Sequence, residues 1–143
     1  MIQKLTLDNI SDVIEFLKKY NFRGDVYITK GNQRIFLEKD IEALKSIIKN
    51  QECYGQYDKE LLGLYIILKE KGYRTYLKII ANNEKTAIEL VRYFNWNYED
   101  EIYVKIKKNN PFVNILVGDG FKFLKPRPGQ ELLLFRNKVE EQK

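Results

Sequence analysis

Apolar positions along the chain change period several times, and each change marks a predicted element. Residues 2–7 alternate and predict a short strand. Ile10, Val13, Ile14, Leu17 and Tyr20 recur at three- and four-residue spacing, the stripe of a helix that Asn9 or Ser11 can cap. Residues 21–24 break it. The stretch 25–36 reads both ways: Val26 and Ile28 alternate, and Gly31-Asn32 suits a turn. A second helical stripe follows through Leu37, Ile41, Leu44, Ile47 and Ile48, ending near Asn50.

The period then shortens to two. Residues 52–57, 61–69 and 73–81 predict three successive strands joined at Asp58-Lys59 and Glu70-Lys71-Gly72. Asn82 or Asn83 caps a third helix whose inner face is Ala87, Leu90, Val91 and Phe94. Residues 101–107 alternate strictly, with Ile102, Val104 and Ile106 on one side and Tyr103, Lys105 and Lys107 on the other. Asn110-Pro111 reads as a cap followed by a first-turn proline, opening a short fourth helix that stops at Gly118. A last hairpin pairs 121–124 with 132–135 around Pro126-Arg127-Pro128-Gly129. The order β-α-α-β-β-β-α-β-α-β-β is of the α/β (α+β) class. Without a linker, repeat or low-complexity tract, residues 1–143 read as a single domain, with 138–143 a polar tail expected to fray.

Composition narrows the chemistry. The 143 residues are 44% hydrophobic and 31% charged, enough for one filled core. Histidine is absent, which excludes Ser-His-Asp and Cys-His nucleophiles and HExxH zinc sites. Cys53 is the single cysteine, so neither an internal disulfide nor a cysteine-rich metal cluster is expected. Carboxylates, Tyr, Lys, Ser/Thr, backbone amides or a bound cofactor must do any chemistry. The net charge of +5 comes from 19 Lys and 6 Arg spread along the chain. That pattern suits mild attraction to an anion and does not call for nucleic acid. No apolar run is long enough to span a bilayer or to resemble a signal peptide, and a lone cysteine suits a reducing compartment, so a cytoplasmic protein with no membrane contact is expected. Heavy use of Lys, Ile, Asn and Tyr, all with A/T-rich codons, points to a low-GC bacterium or its phage.

The element order resembles the GNAT superfamily of acyl-CoA N-acyltransferases, and the C-terminal third carries residue-level likeness. The matching stretch runs Tyr103-Val104-Lys105-Ile106, Asn109-Asn110-Pro111, Gly120-Phe121-Lys122-Phe123 and Glu131-Leu132-Leu133-Leu134-Phe135-Arg136. Upstream, Tyr57-Asp58-Lys59-Glu60-Leu61-Leu62-Gly63 is similar to the family's second hairpin. The resemblance implies a mixed, mostly antiparallel central sheet flanked by about four helices. It also implies a backbone-built site in which the fourth and fifth strands splay into an open gap. The pantetheine arm of acetyl-CoA or another acyl-CoA would pair there with the strand amides of Tyr76, Leu77, Lys78, Ile79 and Ile80. The pyrophosphate would meet amides at the next helix start, beside Asn82, Asn83, Lys85 and Thr86, and Asn109 and Asn110 are further cofactor-binding candidates.

Two places depart from the family pattern. The usual Gln/Arg-x-x-Gly-x-Gly/Ala loop is replaced by Ala81-Asn82-Asn83-Glu84-Lys85-Thr86-Ala87, which has no glycine or arginine and adds a negative charge. Its plainer meaning is a capping Asn83 with Thr86 facing solvent. Leu116 stands where many members have an acidic Tyr, leaving Tyr103 as a possible replacement. Glu52, Glu60 and Glu70 lie in or beside the central strands as candidates for a base, where a surface charge is the ordinary explanation of each. Glu52 and Tyr103 are carried forward as catalytic candidates. Tyr54, Tyr57, Tyr65, Tyr73 and Tyr76 could line an acceptor pocket or simply pack. Trp96 and Tyr98 could anchor a partner or close the core, and Cys53 reads as a buried small hydrophobe. Two functions therefore stand side by side. One is an acyltransferase acting on an amine-bearing small molecule or protein; the alternative is a non-catalytic interaction protein that has lost acyl-CoA binding, and a homodimer or a protein partner is open to either.

Overall fold

Strand β1 (Ile2–Lys4) is shorter than its alternation predicts because Thr6 opens a 3-10 turn over Leu7–Asn9. The Thr6 hydroxyl accepts from the Asp8 amide, and Asn9 Oδ1 accepts in return from the Thr6 amide, a reciprocal cap. The side-chain cap therefore belongs to this 3-10 turn, which runs directly into helix α1 (Ile10–Lys19), and not to Asn9 or Ser11 as expected. The computed structural model describes residues 1–19, 27–30, 33–37, 39–69 and 74–139. Tyr20, the 21–24 break, the 31–32 turn, the 70–72 turn, Tyr73 and residues 140–143 lie outside them.

The ambiguous stretch resolves into a hairpin, β2 (Tyr27–Lys30) and β3 (Gln33–Phe36), which forms its own two-stranded sheet. Helix α2 (Ile41–Asn50) begins at Asp40, whose carboxylate accepts from the Ala43 amide at 3.0 Å. Then come β4 (Glu52–Asp58), β5 (Glu60–Lys69), β6 (Thr75–Ala81), α3 (Glu84–Asn97), β7 (Ile102–Lys107), α4 (Phe112–Gly118), β8 (Lys122–Arg127) and β9 (Glu131–Arg136). Seven strands make one sheet in the order β1-β4-β5-β6-β7-β9-β8. All neighbours run antiparallel except β6 and β7.

Alternation along the strands divides the core into two layers. On one face Cys53, Leu64, Ile66 and Ile80 pack beneath α1 and α2, against Val13, Phe16, Leu17, Leu44, Ile47 and Ile48. On the other, Tyr65, Ile67, Leu77, Ile102 and Val104 pack beneath α3 and α4, against Leu90, Val91, Phe94, Phe112 and Leu116. Gly63 is what lets α3 approach β5. A Cβ there would stand 2.9 Å from Thr86 Cγ2 and 3.0 Å from the Ile80 carbonyl oxygen.

Candidate functional site

The parallel neighbours β6 and β7 meet at one place. Among the described residues their pairing is confined to Tyr76 and Tyr103, so the strands diverge beyond it and leave a gap. Backbone alternation decides what lines that gap. The Asn82 amide donates to the Leu62 carbonyl at 3.0 Å, so even-numbered residues of β6 turn their backbone groups toward β5. Leu77, Ile79 and Ala81 consequently turn theirs toward β7. Past the Tyr76–Tyr103 joint, the amides and carbonyls of Ile79 and Ala81 face the gap with no opposing strand in register.

Aromatic packing closes the narrow end. The Tyr103 ring lies 4.9 Å from Phe135 and 6.2 Å from Tyr76, with the Arg74 guanidinium 4.4 Å above it. Tyr103 is outside the residues lining the gap itself, so its placement is that of a packed strand tyrosine. Leu77, Lys78, Ile79, Val104, Lys105 and Asn110 do line a cleft there. The cleft is narrow, about 20 Å³. It adjoins a larger cavity of about 190 Å³ on the α1/α2 side, and Tyr27, Leu77, Lys78 and Lys105 border both.

Tyr27 narrows the cleft. Its hydroxyl donates to Glu131 Oε2 at 2.5 Å, both residues being buried. Arg127 Nε holds the other carboxylate oxygen at 2.9 Å. The Lys78 ammonium rests 4.4 Å and the Arg34 guanidinium 4.7 Å from the Tyr27 ring centre. The hairpin thus ties β9 to β6 across the divergent strands. The resemblance implies an open gap, and Tyr27 occupies its edge.

At the start of α3, Asn83 Oδ1 accepts from the Thr86 amide at 2.8 Å, the cap the sequence predicts. Thr86 does not face solvent. Its side chain is buried against Gly63, a contact that uses its methyl group for packing. Asn82, Asn83, Glu84 and Lys85 are exposed. Across the gap, Asn110 is buried and its Oδ1 accepts from the Phe112 amide at 2.8 Å, opening α4, while Asn109 is exposed in the preceding turn. Leu116 is fully buried in the α3/α4 core and also borders the cleft, an apolar wall.

The carboxylate candidates lie elsewhere. Cys53 faces the α1/α2 core, so Glu52 faces the opposite side, where it pairs with Lys69 at 3.6 Å. Glu60 is exposed and 3.7 Å from Lys19, and Glu70 is outside the described residues. Burial pushes the Cys53 thiol up to about 12, which makes it inert at neutral pH. Tyr54 and Tyr65 stack at 5.2 Å beneath α3 and are packing residues; burial holds both phenols above their ordinary range. Tyr57 donates to Asp12 at 2.8 Å. Tyr98 stacks on Phe94 at 5.0 Å, whereas Trp96 is 87% exposed and closes nothing. Arg136 donates to Asn95 Oδ1 and to the carbonyls of Tyr98 and Asp100, tying the end of α3 to the sheet. The described residues contain no cluster suited to a metal and no helix long and apolar enough to cross a membrane. Sequence reasoning missed Tyr27, Lys105 and Glu131 as site residues. Only strand alternation hinted at Lys105, which shares a face with Tyr103.

Neither a protein-family model nor a curated protein sequence matches the chain. Solved structures do. A GNAT-family acetyltransferase from Bacillus cereus superposes with a TM-score of 0.71 at 14% identity, covering 98% of each chain. An N-acetyltransferase from Staphylococcus aureus gives 0.66 at 16% identity over 96% of each chain. The PaiA N-acetyltransferase from Thermoplasma acidophilum, solved in complex with coenzyme A, gives 0.65 at 15% identity over 96% of this chain and 98% of that one. The chain has the fold of the GNAT acetyltransferases.

Proposed function

We propose that the protein transfers an acetyl or other acyl group from acyl-CoA to an amine-bearing acceptor. The carrying observation is the unpartnered backbone of Ile79 and Ala81, facing a cleft that leads into a cavity. An extended chain with amide groups, such as a pantetheine arm, satisfies such an edge as an added strand would. In this reading Tyr76 to Ile80 flank the arm, Asn109 and Asn110 border it from α4, and Asn82, Asn83, Lys85 and Thr86 surround the phosphate end. The fold is shared with a protein solved with coenzyme A bound, which supports the same reading.

Acyl-CoA supplies the activated thioester carbonyl. The acceptor nitrogen then forms the new C–N bond with its lone pair, the C–S bond breaks, and the proton lost from nitrogen ends on sulfur, giving an amide and a free thiol. A strand amide pointing into the gap can polarise the carbonyl oxygen. Leu116 cannot supply a proton to the thiolate, and neither Glu52 nor Tyr103 borders the cleft or cavity. The site therefore works by positioning and backbone polarisation more than by side-chain acid–base chemistry.

A second reading, a non-catalytic interaction protein on the same fold, is favoured by the start of α3. Asn83 already occupies the Thr86 amide, and Glu84 places a negative charge where a pyrophosphate would lie. Thermal denaturation with added acetyl-CoA separates the two readings. Binding raises stability by about 2.7 kcal/mol at a hundredfold excess over the dissociation constant. No shift at millimolar acetyl-CoA eliminates the transferase and leaves the interaction protein.

A further inference from the structure

We propose that the cavity between α2, β2 and β5–β7 holds the apolar body of the acceptor, a compact amine with one aromatic or branched aliphatic group. This names the acceptor class for the transfer reading above and rests on it. The hydrocarbon walls are Ile28, Ile47 and Leu68, joined by the rings of Tyr27 and Tyr76. The amide and ammonium groups of the lining are engaged within the protein. Gln51 donates to the Lys69 carbonyl at 3.4 Å and accepts from the Lys69 amide at 3.1 Å. The Lys69 ammonium pairs with Glu52 at 3.6 Å. The Lys78 ammonium rests 4.4 Å from the Tyr27 ring centre, and the Lys105 ammonium 4.3 Å from that of Tyr76. The Tyr27 hydroxyl is spent on Glu131. Carbon is most of what this lining leaves for a ligand, so burial of apolar surface is the driving force available to it.

Size and charge narrow the class further. The cavity measures about 190 Å³. An apolar cavity of about 150 Å³ already accepts benzene, so this one admits a single ring or branched chain with a short arm. No carboxylate lines it among the described residues. A second ammonium on the acceptor would therefore enter without a counter-charge and lie among lysines, which disfavours a polyamine. Tyr27 and Leu77 border both the cavity and the cleft. A body seated in the cavity leaves its amine at that border, beside the gap that the Ile79 backbone faces. Burial of the body thus places the nitrogen next to where the thioester would lie.

The test is calorimetric titration of the full chain with phenethylamine and 1,7-diaminoheptane, probes with the same number of non-hydrogen atoms. Each is titrated with and without coenzyme A, which cannot turn over, and coenzyme A is titrated in parallel. Phenethylamine is expected to bind about tenfold or more tightly than the diamine, with little response to salt and a negative heat-capacity change. Ile28→Trp fills the cavity and Leu68→Gln makes its wall polar. Each should weaken phenethylamine binding about fivefold or more while the melting curve confirms folding. Equal or tighter binding of the diamine, affinity that falls steeply with salt, no phenethylamine binding at millimolar concentration, or wild-type affinity in a folded variant overturns the proposal. Displacement of phenethylamine by coenzyme A also overturns it, since the cavity would then serve the cofactor. Phenethylamine binding without coenzyme A binding removes the transfer reading and keeps the cavity's apolar preference. Coenzyme A binding with a preference for the diamine does the reverse.

Discussion

Replacing Tyr27 by Phe tests the strap across the divergent strands. The substitution removes one oxygen and keeps the ring, so the stacked Lys78 and Arg34 contacts survive. What disappears is a buried hydroxyl–carboxylate bond of 2.5 Å, in the range of charge-assisted bonds. Hydrogen bonds to charged groups contribute about 1.5–3 kcal/mol net. Glu131 keeps Arg127 at 2.9 Å and is not orphaned, which favours the lower part of that range, about 2 kcal/mol. At about 2–4 °C per kcal/mol for a domain near this size, the melting temperature should fall by roughly 4–8 °C. Urea denaturation followed by far-UV circular dichroism is the suitable assay, because Trp96 is 87% exposed and its fluorescence reports little of the core. The midpoint should drop with the slope unchanged. A loss below about 0.5 kcal/mol, the ordinary scatter of surface substitutions, would refute the strap as a stabilising contact.

Three further outcomes follow from the geometry. Gly63→Ala should cost about 1–3 kcal/mol, since its new methyl meets the backbone of Ile80 and Ala81 as well as Thr86, whereas Gly118→Ala, with nothing within 4 Å, should be neutral or stabilising; equal effects in urea melts would contradict the close approach of α3. Cys53 and Tyr57 are both raised to about 12, from 9.0 and 10.0, so the unfolded chain releases these protons first. Their contribution is fully present below about pH 9 and is lost as pH climbs toward about 12, so a urea midpoint that stayed constant over that interval would argue against their burial. Glu84→Gln should lower stability by about 0.3–1 kcal/mol through the helix dipole and, if coenzyme A sits at α3, tighten its binding about two- to fivefold by titration calorimetry. Unchanged or weaker binding would place the phosphates elsewhere.

Much of the fold was legible because burial follows period. The stripes Leu44-Ile47-Ile48 and Leu90-Val91-Phe94 lie on the faces their spacing predicts, and Ile102, Val104 and Ile106 share one side of β7. Local hydrogen bonding blurred the boundaries. Thr6 competes for the end of β1 with a side-chain cap that no hydrophobic pattern registers. The β2–β3 hairpin was ambiguous because its four-residue strands are too short to show a period. The site was legible only in part. That backbone groups of β6 line it follows from topology, and Asn83 caps as expected, whereas the cap position of α4 is Pro111, one residue further on than predicted, with Asn110 Oδ1 accepting from the Phe112 amide. Tyr27 and Glu131 are 104 residues apart, and their meeting depends on how the hairpin crosses the sheet. Thr86 shows the limit from the other side. Its hydroxyl suggested a ligand or solvent, yet the absent side chain at Gly63 draws it inward.

The single Tyr76–Tyr103 joint also divides the molecule mechanically. Four strands, β1, β4, β5 and β6, form one continuous ladder, and β7, β9 and β8 form another. Between them, among the described residues, the main-chain pairing in the sheet is one residue pair. Cooperative unfolding units tend to follow such seams, so native-state hydrogen exchange should resolve two blocks of amides with separate opening free energies. Helix α3 packs against the first ladder and against α4, and serves as the hinge pin between them. A molecule seated in the seam would weld the blocks together, and their exchange rates would then converge.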